Sequence, residues 1–179
     1  MRILVFVVIS FLALGSHAQS TKDLSLELQV YPTGAIPGLR YESSIGEQSS
    51  LSFRFGYNIV RHRDLGVHDD ERGGGFGGSI GYRKYFKPGF KGWSWSVKTD
   101  VWFNDIDWYD IGPLDDLIEG ETSITVLQPT AELGYTFVNN SYSITPTLSF
   151  GFEWNVRTEG EPTGQGSIIL LGVQVGRRF

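Results

Sequence analysis

One feature constrains this chain more than any other: from Asp23 to the last residue, apolar and small polar side chains alternate with a period of two. That period belongs to strands whose two faces meet different surroundings. Eight such segments are predicted, and no helix. In the third, Leu51, Phe53, Phe55, Tyr57 and Ile59 face Ser52, Arg54, Gly56 and Asn58. In the seventh, Tyr142, Ile144, Pro146, Leu148, Phe150, Phe152 and Trp154 face Ser143, Thr145, Thr147, Ser149, Gly151 and Glu153. The others span residues 24–30, 38–45, 76–86, 93–103, 127–137 and 169–179. Two details strain the pattern. Ile124 and Val126 have the parity opposite to Leu127, which a β-bulge near Val126 reconciles. Pro129 and Pro146 each remove a ladder donor; Pro129 can share that bulge, while Pro146 is a local irregularity.

Alternation alone does not say which face is inside. An eight-stranded barrel is just wide enough for its own side chains, so the Trp, Phe and Tyr of the apolar faces belong outside. The opposite faces are rich in Ser, Thr and Gly, and their charges balance. Glu27, Glu42, Asp100, Glu132 and Glu153 are matched by Arg40, Arg54, Arg83, Lys98 and Arg178, as a water-poor lumen requires. Connections predicted at 46–50, 87–92 and 138–141 are short, whereas those at 61–75, 104–122 and 155–166 are long; the first of that second set, 31–37, is intermediate. Short turns at one end and long loops at the other are the outer-membrane pattern. Phe86, Trp93, Trp95, Tyr135, Phe137 and Tyr142 near the turns, and Phe76, Phe103 and Trp154 near the loops, suit two aromatic girdles.

The first 18 residues read as a secretory signal peptide. Arg2 precedes an apolar run from Ile3 to Leu14 and a small-residue site at Gly15-Ser16-His17-Ala18. Residues 19–179 are then one barrel domain. Losing Arg2 leaves 14 basic against 20 acidic residues, a net charge of −6, which argues against a nucleic-acid partner. There is no cysteine, so disulfides and thiolate metal sites are excluded.

The eight alternating segments, the last of them "IILLGVQVGRRF" ending on phenylalanine, resemble the small outer-membrane β-barrels of Gram-negative bacteria, such as the OmpA membrane domain and its OmpX-like relatives. The resemblance implies an all-β, up-and-down transmembrane barrel in the outer membrane, monomeric, with periplasmic termini and lipid around it. It also implies recognition by the barrel-assembly machinery through Leu171, Val173, Val175 and Phe179. Arg177 shares their parity and departs from an all-apolar face.

Chemistry is sparse. His62 and His68 are the only histidines after the leader, without the His-x-Ser pattern that barrel deacylases use. His62, His68 and Asp69 form a weak metal constellation. The stretch "NDIDWYDIGPLDDLIEGE" places Asp105, Asp107, Asp110, Asp115 and Asp116 near Trp108 and Tyr109, a possible ion or ligand loop whose spacing departs from an EF-hand. "ERGGGFGG" lacks the lysine of a phosphate loop and reads as loop flexibility and close strand contact. The expectation is a structural or loop-displaying barrel without catalysis, cofactor or metal. A lipid-modifying barrel enzyme and a soluble ligand-binding barrel are the alternatives.

Overall fold

The computed structural model describes residues 22–63, 67–114 and 116–179. The expected signal peptide lies outside them. Eight strands run β1 (Lys22–Tyr31), β2 (Gly34–Ser44), β3 (Ser49–Arg63), β4 (Asp70–Lys87), β5 (Lys91–Ile111), β6 (Leu117–Asn139), β7 (Tyr142–Glu159) and β8 (Gly166–Arg178). Each pairs antiparallel with its sequence neighbours, and β1 pairs with β8 to close the barrel. Phe179 and Lys22 exchange two backbone hydrogen bonds of 3.0 Å, so the seam extends to the end of the chain.

The apolar faces are outside. Leu26, Phe55, Phe76, Phe103, Phe150 and Leu171 are among many large side chains exposed by more than half, while Glu27, Arg54, Asp100 and Glu132 are buried. This arrangement inverts a soluble barrel, which would hold its apolar faces within.

The long loops predicted at 61–75, 104–122 and 155–166 are mostly strand. The β5–β6 ladder continues unbroken from Gly92↔Thr136 to Ile111↔Leu117. The first connection, expected at 31–37, is a tight turn, because β2 already begins at Gly34 and buries Ile36. The extra ladder exists because the alternation does not stop at Phe103; it changes sign. Below that level β5 carries Trp93, Trp95, Val97 and Val101 outward and Ser94, Ser96, Lys98 and Asp100 inward. Above it, Asp105 and Asp107 face out and Ile106 is buried. The same exchange occurs on β6, where Ile124 and Val126 are buried under outward Ser123 and Thr125. Their parity therefore needs no bulge in β6, which corrects the expectation. The register shift in this region belongs to the β6–β7 ladder: Thr125 pairs with Arg157 and Val126 with Asn155, leaving Val156 as the extra residue on β7.

The prolines follow one rule. Pro37, Pro129 and Pro146 pair with Leu28, Thr99 and Val173 on one side. On the other side the ladder skips them while keeping its register: around Pro37 in β2–β3, and around Pro129 and Pro146 in β6–β7. Each lacks the N–H that its second ladder would use, and two missing pairs are a smaller loss than a slipped register.

Candidate functional site

The interior is the most organised part of the molecule, and eight of the ten predicted lumen charges meet in it. Arg54 reaches Glu27 at 3.0 Å and Asp100 at 2.6 Å. Arg83 bridges Glu42 at 3.0 Å and Glu132 at 2.8 Å. Arg40 lies 3.4 Å from Glu27 and 3.5 Å from Glu42. Lys98 sits among Glu27, Glu132 and Asp100 at 3.7, 3.9 and 4.0 Å. These charges come from β1 through β6; Ser149 on β7 donates to Glu132 at 3.1 Å, and Gln174 on β8 accepts from Arg83 at 3.2 Å. The network thus ties all eight strands with four acids and four bases, and a buried charge is tolerable only when so compensated.

Glu153 and Arg178 stand outside it, contrary to the expectation. Glu153 lies at the far mouth, where the interior has turned apolar, and has no ion-pair or hydrogen-bond partner among the described residues. Arg178 sits at the terminus end, where its guanidinium donates to the Gly89 carbonyl oxygen at 2.7 Å. Beside it the β4–β5 turn folds Phe90 into the barrel at φ 53°, stacked on Tyr85 at 4.8 Å, while the Tyr85 hydroxyl donates to Glu42 at 2.8 Å.

Above the network lies an apolar layer of Tyr31, Ile36, Val60, Trp102, Ile106, Ile124, Val126, Ile168 and Leu170. Large rings were not expected inside so narrow a barrel. On the hairpin side of the network three of them fit because each faces a glycine across a ladder: Tyr31 pairs with Gly34, Trp102 with Gly77 and Trp108 with Gly120. A Cβ at Gly34, Gly77 or Gly120 would collide with the ring opposite. The "ERGGGFGG" stretch is accordingly strand rather than flexible loop, and its glycines bring β4 close to β5. The sequence signal was there, since an inward aromatic opposite a glycine is readable once the register is known.

The acidic stretch does not assemble into one ligand set. Asp105 and Asp107 point outward on β5, and Asp105 accepts from Ser123 Oγ at 2.7 Å. Trp108 points inward, donating to Thr122 Oγ1 at 3.1 Å. The Tyr109 hydroxyl donates to Asp70 at 2.6 Å, beside Arg72 on the same carboxylate at 2.7 Å. Asp110 meets His68 Nδ1 at 2.8 Å, Asp116 is exposed in the turn, and Asp115 lies outside the described residues. The histidines are also apart: His62 Nδ1 contacts Glu71 at 2.6 Å, whereas His68 stacks on Trp108 and its Nε2 meets the Pro162 carbonyl oxygen at 3.1 Å. Among the described residues no three acidic or histidine groups converge as metal ligands. Donors from Arg72 and Tyr109 hold the Asp70 carboxyl down at about 2, and His68 with the Asp69 amide lowers that of Asp110.

Leu171, Val173 and Val175 on β8, and Phe179 just past its end, are all outward and exposed. Arg177 is exposed beside them, paired with Leu24 and Tyr142 at the barrel end.

Fold and interior together define a closed eight-stranded barrel of the kind small outer-membrane proteins have. Among solved structures the chain is similar to Ail, the attachment invasion locus protein of Yersinia pestis, with a TM-score of 0.56, 10% identity, and coverage of 89% of this chain and 97% of that one. Ail in complex with the heparin analogue sucrose octasulfate matches with a TM-score of 0.52 at 10% identity over the same shares. The N-terminal β-barrel domain of Pseudomonas aeruginosa OprF covers 87% of this chain and 96% of its own at 13% identity, with a TM-score of 0.48. The likeness to Ail is one of fold. No protein-family model and no curated protein matches the chain.

Proposed function

We propose that the chain is an integral outer-membrane β-barrel protein that displays its extended hairpins outside the cell and carries out no catalysis. The observation that carries this reading is the inversion of the alternation at the level of Phe103. Apolar side chains face outward from Trp93 to Phe103, 11 residues on β5, which matches the roughly 9–11 residues a tilted strand needs to cross a bilayer. Beyond that level the outward positions Asp105 and Asp107 are acidic and, past Asn104, the inward Ile106 and Trp108 are apolar, as expected where the wall leaves lipid and enters water.

The outward rings mark the two borders. Trp93, Tyr135 and Phe137 form one contact chain, with Trp93–Tyr135 centroids 5.2 Å apart. Tyr57, Phe55 and Phe76 cluster at the other border, with Tyr57–Phe76 centroids at 4.9 Å. In this reading the termini and the short turns at 45–48, 88–90 and 140–141 are periplasmic. Leu171, Val173, Val175 and Phe179 then form the strand offered to the assembly machinery.

A closed lumen fits the small interior cavities, about 20 Å³ at the hairpin mouth and about 10 Å³ at the terminus end, each close to the volume of one water. The bound heparin analogue belongs to Ail; here the outward face of the β5–β6 hairpin carries Asp105, Asp107, Glu119 and Glu121, which disfavours a polyanion on that face. Fractionation tests the reading. The protein is expected to stay with membranes after a high-salt wash and to change electrophoretic mobility on boiling in detergent. Soluble periplasmic material with no mobility shift would contradict it.

A further inference from the structure

Outside the eight-charge network the described barrel interior holds three further carboxyls, Asp23, Glu71 and Glu153; Asp23, at the terminus end, accepts from Ser143 Oγ, and Glu153 alone has no partner. The eight-membered network is neutral by itself. Glu71, on β4 at the mouth, is saturated: Oε2 meets His62 Nδ1 at 2.6 Å, and Oε1 accepts from the amides of Val67 at 3.0 Å and His68 at 3.3 Å. Glu153 has no ion-pair or hydrogen-bond partner among the described residues. It lines the mouth cavity of about 20 Å³ together with Tyr31, Asn58, His62, Asn104 and Asn155. Asn104 is 2% exposed, and its Oδ1 accepts no hydrogen bond from any described residue.

We propose that this cavity binds one small monovalent cation, of the sodium, potassium or ammonium class, between the Glu153 carboxylate and Asn104 Oδ1. Three properties select that class. The volume holds about one water-sized sphere. The bare groups are hard oxygen acceptors, which suits an oxygen-seeking cation; Asn58 Oδ1 in the same lining already accepts from the Tyr31 hydroxyl at 2.7 Å. The unmatched charge is a single carboxylate, so one positive charge neutralises the site, and calcium would want six to eight oxygens. A bound water could donate to both acceptors but would leave the charge uncompensated unless the carboxyl took up a proton, and a test therefore belongs at pH 8, where the carboxylate form is favoured.

The cavity is covered by the β7–β8 connection. Thr163 lies over it, with its carbonyl oxygen and Oγ1 accepting from Asn155 Nδ2 at 3.3 and 3.2 Å. A cation exchanges with the outside by movement of this connection. The site lies within the barrel wall, so it stands independently of where the protein resides.

Thermal unfolding of the refolded full chain in detergent tests it, at pH 8 and constant ionic strength, with sodium, potassium or ammonium chloride exchanged for tetramethylammonium chloride. The wild-type unfolding equilibrium constant is expected to fall about tenfold for each tenfold rise in the small cation above its dissociation constant. Glu153→Gln should melt alike in all four salts. Wild-type melting that ignores the cation, or a dependence that survives in Glu153→Gln, overturns the site. Should that variant not refold, wild-type crystals soaked in thallium decide: an anomalous peak beside Glu153 supports the site, and water alone there overturns it.

Discussion

Gly77 stands directly across the β4–β5 ladder from Trp102, and a Cβ at that position would run into the indole and the Val101 carbonyl oxygen. Trp102 is fully buried, its Nε1 donates to Gln128 at 3.0 Å, and the Arg54 guanidinium lies 5.3 Å from its ring centroid. One glycine thus lets the apolar layer rest on the charge network. Gly77→Ala is expected to destabilise the barrel by more than about 1 kcal/mol, since alanine helps only where the native geometry can accept it. Urea unfolding of the refolded protein would measure this; Gly46→Ala, whose Cβ meets nothing within 4 Å on backbone that is not left-handed, controls for glycine replacement as such.

Arg83 is the widest bridge in the lumen, serving Glu42, Glu132 and Gln174 together. Arg83→Ala is expected to cost about 3–5 kcal/mol, because two buried carboxylates lose their nearest ion-pair partner and keep only the cations Arg40, 3.5 Å from Glu42, and Lys98, 3.9 Å from Glu132. The matching Arg83→Ala/Glu132→Gln variant removes one of those charges and should recover part of the loss in the same assay.

At the hairpin rim, pH sets the order. The carboxyls of Asp70 and Asp110 are held below their usual range by Arg72 with Tyr109 and by His68 with the Asp69 amide. A carboxyl depressed in the folded state lends stability that is full above its unfolded value near 4 and lost as pH falls through the folded one. A spin label at Leu114, in the β5–β6 turn, should therefore keep constant mobility from about pH 7 to 5 and loosen as pH falls from about 4 toward 2. Asp110→Asn should loosen it at neutral pH, and equal mobility in the two proteins would count against the His68 contact.

The strands and their inside-out sense were legible because aromatic rings alternate with Ser, Thr and Gly over most of the chain. The eight-charge network was legible from parity and charge balance. Glu153 and Arg178 were misassigned because parity fixes a direction and not a height: one lies above the network and the other below it. The strand extensions were missed for a related reason. Asp105 and Asp107 look like loop when read for polarity, yet they are the outward half of an alternation whose inward half is Ile106 and Trp108. A change of solvent along one strand reverses the pattern without breaking the β5–β6 ladder; the bulge expected at Val126 does lie at that level, but its extra residue is Val156 on β7. The prolines were legible as obstacles; that Pro37, Pro129 and Pro146 each interrupt only one ladder needed the register.

Which face meets lipid is the central claim, and tryptophan quenching by brominated lipid tests it most directly. In vesicles, a variant keeping only Trp95, which faces outward and is 40% exposed, should be strongly quenched, and one keeping only Trp102, which is fully buried, only weakly. Equal quenching of both, or quenching of Trp102 alone, would contradict a barrel that turns its apolar face to the membrane.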